Sequence, residues 1–195
     1  MATRVETHFA ERREEARNKS VLALGKIVSG GQEHICMVRD ISDSGLKIEM
    51  PDPPGTGCYV IVEMLGLNPC AACVVWRLDH HAGLAFSVPQ DIDRMCKRGR
   101  DAMGITARGP RFTINRKAEL CIDRKRLRVE VANISVGGVR LRGMTGVPSN
   151  RPAQLTLGTS PSPLSGHVRW VADDDAGFSF APALDIQKLL KEVAG

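Results

Sequence analysis

Two clusters near the N-terminus carry residue types suited to holding an anion and a base. Arg12-Arg13-Glu14-Glu15-Ala16-Arg17 contains Arg-x-x-x-Arg, and Asp40-Ile41-Ser42-Asp43-Ser44-Gly45 has the form acid-x-Ser-x-x-Gly. A guanidinium is a planar fork that matches phosphate oxygens and the O6/N7 edge of guanine, and its plane stacks on bases. The Asp40 carboxylate can accept from the N1–H and N2–H edge of guanine, which adenine lacks, and the Ser42 hydroxyl can serve a phosphate or a base edge. Gly45 permits a backbone shape, or a close ligand approach, that a Cβ would obstruct. Charge-assisted hydrogen bonds contribute about 1.5–3 kcal/mol each, so two or three arginines could carry a complex of about micromolar affinity or tighter. Plainer readings stand beside these. The arginines lie among Glu11, Glu14 and Glu15 and suit a salt-bridged exposed helix. The Asp40–Gly45 segment suits a turn whose Asp and Ser bond their own backbone.

The second cluster occurs twice. Asn133-Ile134-Ser135-Val136-Gly137-Gly138 repeats it with an amide in first place. Trp76 is followed by Gly83 and Phe86, seven and ten residues on, and Trp170 by Gly177 and Phe180 at the same offsets. The chain holds only eight aromatic residues, and four of them occupy these matched places. A shared period of this kind reads as two copies of one domain. The expected division is residues 1–103 and 104–195, each of a common domain size.

Period-2 patterns position both clusters. Ser20–Val28 runs into the turn Ser29-Gly30-Gly31-Gln32 and returns from His34 to Arg39, a hairpin signal. Leu46 and Ile48 alternate with Lys47 and Glu49, so one face of that strand is buried and the other wet. Tyr59–Met64, Ala71–Arg77 and Ala82–Val88 supply three more strands. The second half repeats the order, with Lys117–Ile122 and Leu127–Ala132 flanking an Asp123-Arg124-Lys125-Arg126 turn. Val139 and Leu141 then take the places of Leu46 and Ile48, and Gln154–Leu157, Gly166–Trp170 and Gly177–Phe180 follow. Six short antiparallel strands per half favour a small closed barrel, which leaves no exposed edge. Each half should end in a helix. Asp91 suits an N-cap before Ile92, Met95, Cys96, Gly99 and Met103, and Asp185 before the stripe Ile186, Leu189, Leu190 and Val193.

Arg-x-x-x-Arg at Arg13–Arg17, Asp40-x-Ser42-x-x-Gly45, the Trp-Gly-Phe strands and a terminal helix, in that order, resemble the PilZ family of bacterial cyclic di-GMP receptors over essentially the whole chain. The resemblance implies a mainly β fold of two tandem six-stranded antiparallel PilZ-like barrels, each followed by a helix. It implies that Arg13 and Arg17 grip phosphate and guanine, that Asp40 and Ser42 hydrogen-bond the ligand, and that Gly45 shapes the turn. Arg12 stands where an arginine is associated, in that family, with uptake of an intercalated ligand dimer. Two nucleotides per chain are therefore expected at the first domain. The ligand that the resemblance implies is cyclic di-GMP, and no cofactor is implied. The N-terminal arm, with little to bury, should order when ligand binds, and the signal should pass to an effector protein of unknown identity. A ligand-independent PilZ-like adaptor is the other reading.

The second copy departs from the pattern. Aligning Leu22 with Leu120 sets Arg13 against Arg111 and Arg17 against Asn115, so one arginine of the pair is missing. Arg111, Asn133, Ser135 and Gly138 are left as a degenerate second site, better suited to a structural or partner-binding role.

Other functions find less support. Cys70-Ala71-Ala72-Cys73 with His80 and His81 offers four zinc-ligand types, but on a strand the two sulfurs splay apart and no second pair exists, so no metal is expected. Arg124, Lys125, Arg126, Arg128, Arg140 and Arg142 suit a solvated hairpin tip better than a nucleic-acid face, and no ladder of stacking aromatics accompanies them. The net charge of +5 is compatible with an anionic ligand and far from an arginine-rich nucleic-acid arm. No Gly-x-Ser-x-Gly, Gly-x-x-x-x-Gly-Lys or His-Glu-x-x-His is present, so an enzyme is not expected. No apolar run is long enough to span a bilayer, and the N-terminus is charged from Arg4 without an apolar stretch, so a cytoplasmic location is expected.

Overall fold

A computed structural model of the chain describes residues 19–97, 109–158 and 162–194. The chain divides into two compact units, Met1–Pro110 and Arg111–Gly195.

Unit 1 contains β1 (Lys19–Ser29), β2 (Gln32–Ser42), β3 (Gly45–Glu49), β4 (Tyr59–Met64), β5 (Leu67–Leu78), β6 (His81–Phe86) and helix α1 (Ile92–Lys97). The strands close a barrel in the order β1-β2-β3-β6-β5-β4, with β4 pairing back on β1. Unit 2 repeats this with β7 (Phe112–Ile122), β8 (Lys125–Ser135), β9 (Gly138–Arg142), β10 (Arg151–Leu157), β11 (Leu164–Ala172) and β12 (Asp175–Phe180), closed in the order β7-β8-β9-β12-β11-β10. Helix α2 (Ile186–Ala194) follows. Closure satisfies the backbone groups that an open sheet would leave at its edges.

Alternation fills each barrel. Ile27, Val38, Ile48, Val62, Ala72 and Ala82 are fully buried in unit 1, as are Leu120, Val131, Leu141, Leu155, Val168 and Ala176 in unit 2. Each larger aliphatic side chain so buried contributes about 1.5–3 kcal/mol. Asp91 caps α1 by accepting the Arg94 amide at 2.8 Å, and Asp185 caps α2 by accepting the Lys188 amide at 2.7 Å. Gly99 and Met103 lie outside the described residues.

The second hairpin is tighter than its sequence suggested. Asp123 and Arg124 alone connect β7 to β8, at φ 48° and 63°, matching Gly30 and Gly31 at 56° and 79° in unit 1. Two consecutive left-handed residues give the turn whose twist suits adjacent strands. Aspartate tolerates that conformation, and Asp123 is also held by Arg151 at 2.7 Å.

Strand register corrects the expected internal alignment. The hairpins superpose Ser20 and Ala23 on Thr113 and Arg116, and Asp40 on Asn133, so Leu22 matches Asn115 and Ile27 matches Leu120. Burial agrees, since Leu22 is 69% exposed while Ile27 and Leu120 are both fully buried. Arg111 therefore falls one residue after the position matching Arg17, not at that of Arg13.

Candidate functional site

Asp40 reaches the outside of its barrel because β2 is bulged. Cys36 and Val38 face the core, and strict alternation would send Asp40 there too. The register shifts between Val38 and Asp40 against β3, and between Ser20 and Ala23 against β1. The extra residue turns the phase over, so Ile41 is buried and Asp40 stands half-buried on the outer face. Unit 2 carries the same shift between Val131 and Asn133.

Ser42 and Gly45 serve the turn itself. The buried Ser42 hydroxyl donates to the Gly45 carbonyl at 3.3 Å, with the Ser44 hydroxyl 3.2 Å away. Ser135 donates to the Gly138 carbonyl at 3.1 Å in the same way. A Cβ on Gly45 would overlap the Leu84 carbonyl of β6, and one on Gly138 the Phe178 carbonyl of β12. The glycine is thus demanded by close approach of a neighbouring strand.

Asp40 lines an open depression of about 570 Å³ together with Val21, Leu22, Arg39, Lys47, Glu49 and His81. Val21 and Leu22 give it an apolar side on which a purine could lie. Arg39 Nε donates to Glu49 Oε2 at 2.6 Å, and His81 Nε2 lies 3.7 Å from the same oxygen. The Arg39 hydrogen bond holds the Glu49 carboxyl below its ordinary range, helped by the charges of Arg39, His81 and His80. Asp40 faces Lys47 directly across β2 and β3, yet among the described residues neither side chain has a hydrogen bond or an ion pair. The depression therefore presents an open carboxylate, an uncommitted ammonium and an apolar flank. Such a set can read the donor edge of a base and hold an anion.

Arg12, Arg13 and Arg17 lie outside the described residues. Asp40, Ser42 and Gly45 are brought to one turn, but only Asp40 of these opens on the depression. Arg39, Lys47, Glu49 and His81 are members that sequence reasoning missed. Lys47 and Glu49 were visible only as the wet side of β3.

The matching region of unit 2 is internally paired. Arg111 Nη1 donates to Asn133 Oδ1 at 2.9 Å, Arg142 Nη1 to Glu130 Oε1 at 3.0 Å, and Arg140 Nη2 to Asp175 Oδ2. The bond to Arg140 holds Asp175 below the usual carboxylate range. At the hairpin tip Arg126 meets Glu119 at 3.3 Å, so acids interleave with the basic residues there.

Among the described residues no group of three or more His, Cys, Asp or Glu could hold a metal ion. Cys70 pairs opposite the core residue Val62 and Cys73 opposite the outward Tyr59, on different faces of β5, and His80 Nδ1 bonds the Pro51 carbonyl at 2.9 Å. No helix among the described residues is long and apolar enough to cross a membrane.

Several solved proteins match the chain over most of its length at low identity and with TM-scores below 0.5. PlzA of Borreliella burgdorferi in complex with c-di-GMP matches at TM-score 0.42 and 10% identity, covering 97% of this chain and 96% of that one. YcgR of Escherichia coli in complex with c-di-GMP matches at 0.36 and 11%, covering 89% and 84%. The MrkH–c-di-GMP complex of K. pneumonia matches at 0.34 and 12%, covering 92% and 94%. No curated protein matches the chain. The PilZ domain matches residues 11–98 and again residues 106–194, nearly the whole length. With one match on each closed barrel, the chain belongs to the PilZ family and carries two PilZ domains in tandem.

Proposed function

We propose that this protein is a non-catalytic receptor for cyclic di-GMP that binds the dinucleotide at its first domain and passes the signal to a partner protein. The observation that carries the reading is the contrast between Asp40 and Asn133. The same bulge places both outside their barrels, but Asn133 is satisfied by Arg111 whereas Asp40 stands open in a depression with Lys47 beside it. An open carboxylate with no internal partner can accept the donor edge of a guanine without first giving up another contact. Arg13 and Arg17 would clasp phosphate and guanine from the segment preceding β1. Arg12 would add the cation needed for an intercalated dimer, giving two nucleotides per chain. The second domain, with its cognate groups consumed internally, would not bind the ligand and would serve structure or partner contact.

Titration calorimetry with cyclic di-GMP, cyclic di-AMP and GTP tests this. Binding of the first alone, abolished in Arg17→Ala and Asp40→Ala, is expected. No heat with any of the three at tens of micromolar protein overturns it.

A ligand-independent adaptor is the second reading, favoured by one observation. Ser42 and Gly45 are needed by the turn, as Ser135 and Gly138 are in the domain whose site is internally paired. Those two motif positions would be required even without a ligand. Recovery of the same partner with and without nucleotide, and from Arg17→Ala, would support it.

A further inference from the structure

We propose that Lys47 is an additional ligand-binding residue of the first domain, its ammonium holding a phosphodiester oxygen of the dinucleotide. The inference rests on the receptor reading above and adds a residue outside both sequence motifs.

The two domains serve as each other's control. Lys47 matches Arg140, Glu49 matches Arg142, and His81 matches Asp175, through the same β3–β6 and β9–β12 ladders. Each domain thus has a cation at the first position. What differs is the acid. In the second domain the acid sits on β12, and Asp175 captures Arg140. In the first the acid sits on β3, and Glu49 is already engaged by Arg39 at 2.6 Å, with His81 on its other side. This exchange of positions neutralises Arg140 and leaves Lys47 unclaimed among the described residues.

Placement makes that charge useful. Lys47 is directly across from Asp40, so one ligand could meet both a carboxylate for its base and an ammonium for its phosphate. Lys47 is half-buried along its strand, and Leu22 and Val21 line the same depression. A ligand seated there would shed water from the ammonium, and the attraction strengthens as screening is removed. The ammonium is a rotatable point charge, suited to a phosphate whose orientation is set by other groups.

The test compares wild type, Lys47→Met and Lys47→Arg by calorimetric titration with cyclic di-GMP at low and high salt, with melting curves as a control for folding. Lys47→Met is expected to bind about tenfold more weakly, the loss of one charge-assisted contact, and to lose part of the salt dependence of binding. Lys47→Arg should retain most of both. Wild-type binding with Lys47→Met unchanged in affinity and salt dependence overturns the role of Lys47 while leaving the receptor reading intact. A wild-type chain that binds no cyclic di-GMP overturns both. A Lys47→Met chain that melts early is judged by Lys47→Arg alongside Lys47→Gln, where restored folding with full affinity in the glutamine variant overturns the proposal.

Discussion

Asp43 Oδ1 accepts the amide of Ile92 at 3.1 Å, tying the turn that follows Asp40 to the first residue of α1. The Asp43 carbonyl also accepts the Gln90 amide at 2.8 Å. Unit 2 keeps only the main-chain half of this arrangement, Leu184 N to Val136 O at 2.8 Å, because valine offers no acceptor. Any ligand-driven shift of the Asp40–Gly45 turn would therefore bear on α1 through one side chain.

Asp43→Ala is expected to loosen the start of α1 by about 0.5–2 kcal/mol, the usual cost of a lost capping acceptor. Faster hydrogen exchange at Ile92 and its neighbours, with β1–β6 unaffected, is the measurement. Unchanged exchange would show that Asp91 caps the helix alone.

Gly45→Ala should destabilise the first barrel whether or not ligand is present, because the new methyl meets the Leu84 carbonyl. A cost of about 1–3 kcal/mol is typical of overpacking against rigid neighbours. Gly138→Ala should do the same to the second barrel. A drop in melting temperature in both, without nucleotide, is expected. If Gly45→Ala melts like wild type, the glycine is there for the ligand.

Trp76 lies against Gly83, and Trp170 against Gly177, so closely that a Cβ on either glycine would overlap the indole. Gly83→Ala should therefore be costly in the native background and much milder in Trp76→Ala, a coupling to be read from a double-mutant cycle of unfolding free energies. Additive costs would show that the ring yields freely.

Acid should weaken the Arg39–Glu49 contact in a defined direction. Glu49 lies below its ordinary value of 4.5 in the folded chain, chiefly through the Arg39 hydrogen bond. The unfolded chain then binds more protons in acid, so the contribution is present above that value and lost as pH falls through the lower folded one. The melting difference between wild type and Glu49→Gln should accordingly shrink on acidification. A constant difference from neutral pH to about pH 3 would show that Glu49 acts by packing instead.

Much of each barrel was readable because the buried positions alternate and glycines mark one hairpin. Both hairpins read as four-residue turns, and in both only the middle two residues, Gly30-Gly31 and Asp123-Arg124, lie outside the strands, because strand pairing runs up to the turn and no residue type marks where it stops. Leu22 and Leu120 resembled each other as leucines on strands, but pairing them is a slip of five residues, an odd number that swaps the buried and exposed faces, as the exposed Leu22 and the buried Leu120 record. The bulge that exposes Asp40 comes from pairing with β1 and β3, which no local pattern displays. Likewise His81 joins the depression from β6, the strand beside β3, 41 residues beyond Asp40 in sequence. Partnership, more than residue type, separates Lys47 from Arg140.

The two indoles have a further use. Each barrel holds one tryptophan, seated on a strand glycine and 41% or 43% exposed. The chain thus carries one indole per domain in near-identical settings, and replacing either with phenylalanine leaves a single tryptophan that can be excited apart from Tyr59. Emission from Trp76 alone would then follow the first barrel, and emission from Trp170 the second, without any attached dye. The order in which the two domains respond to nucleotide, acid or heat becomes an optical measurement on the unlabelled protein.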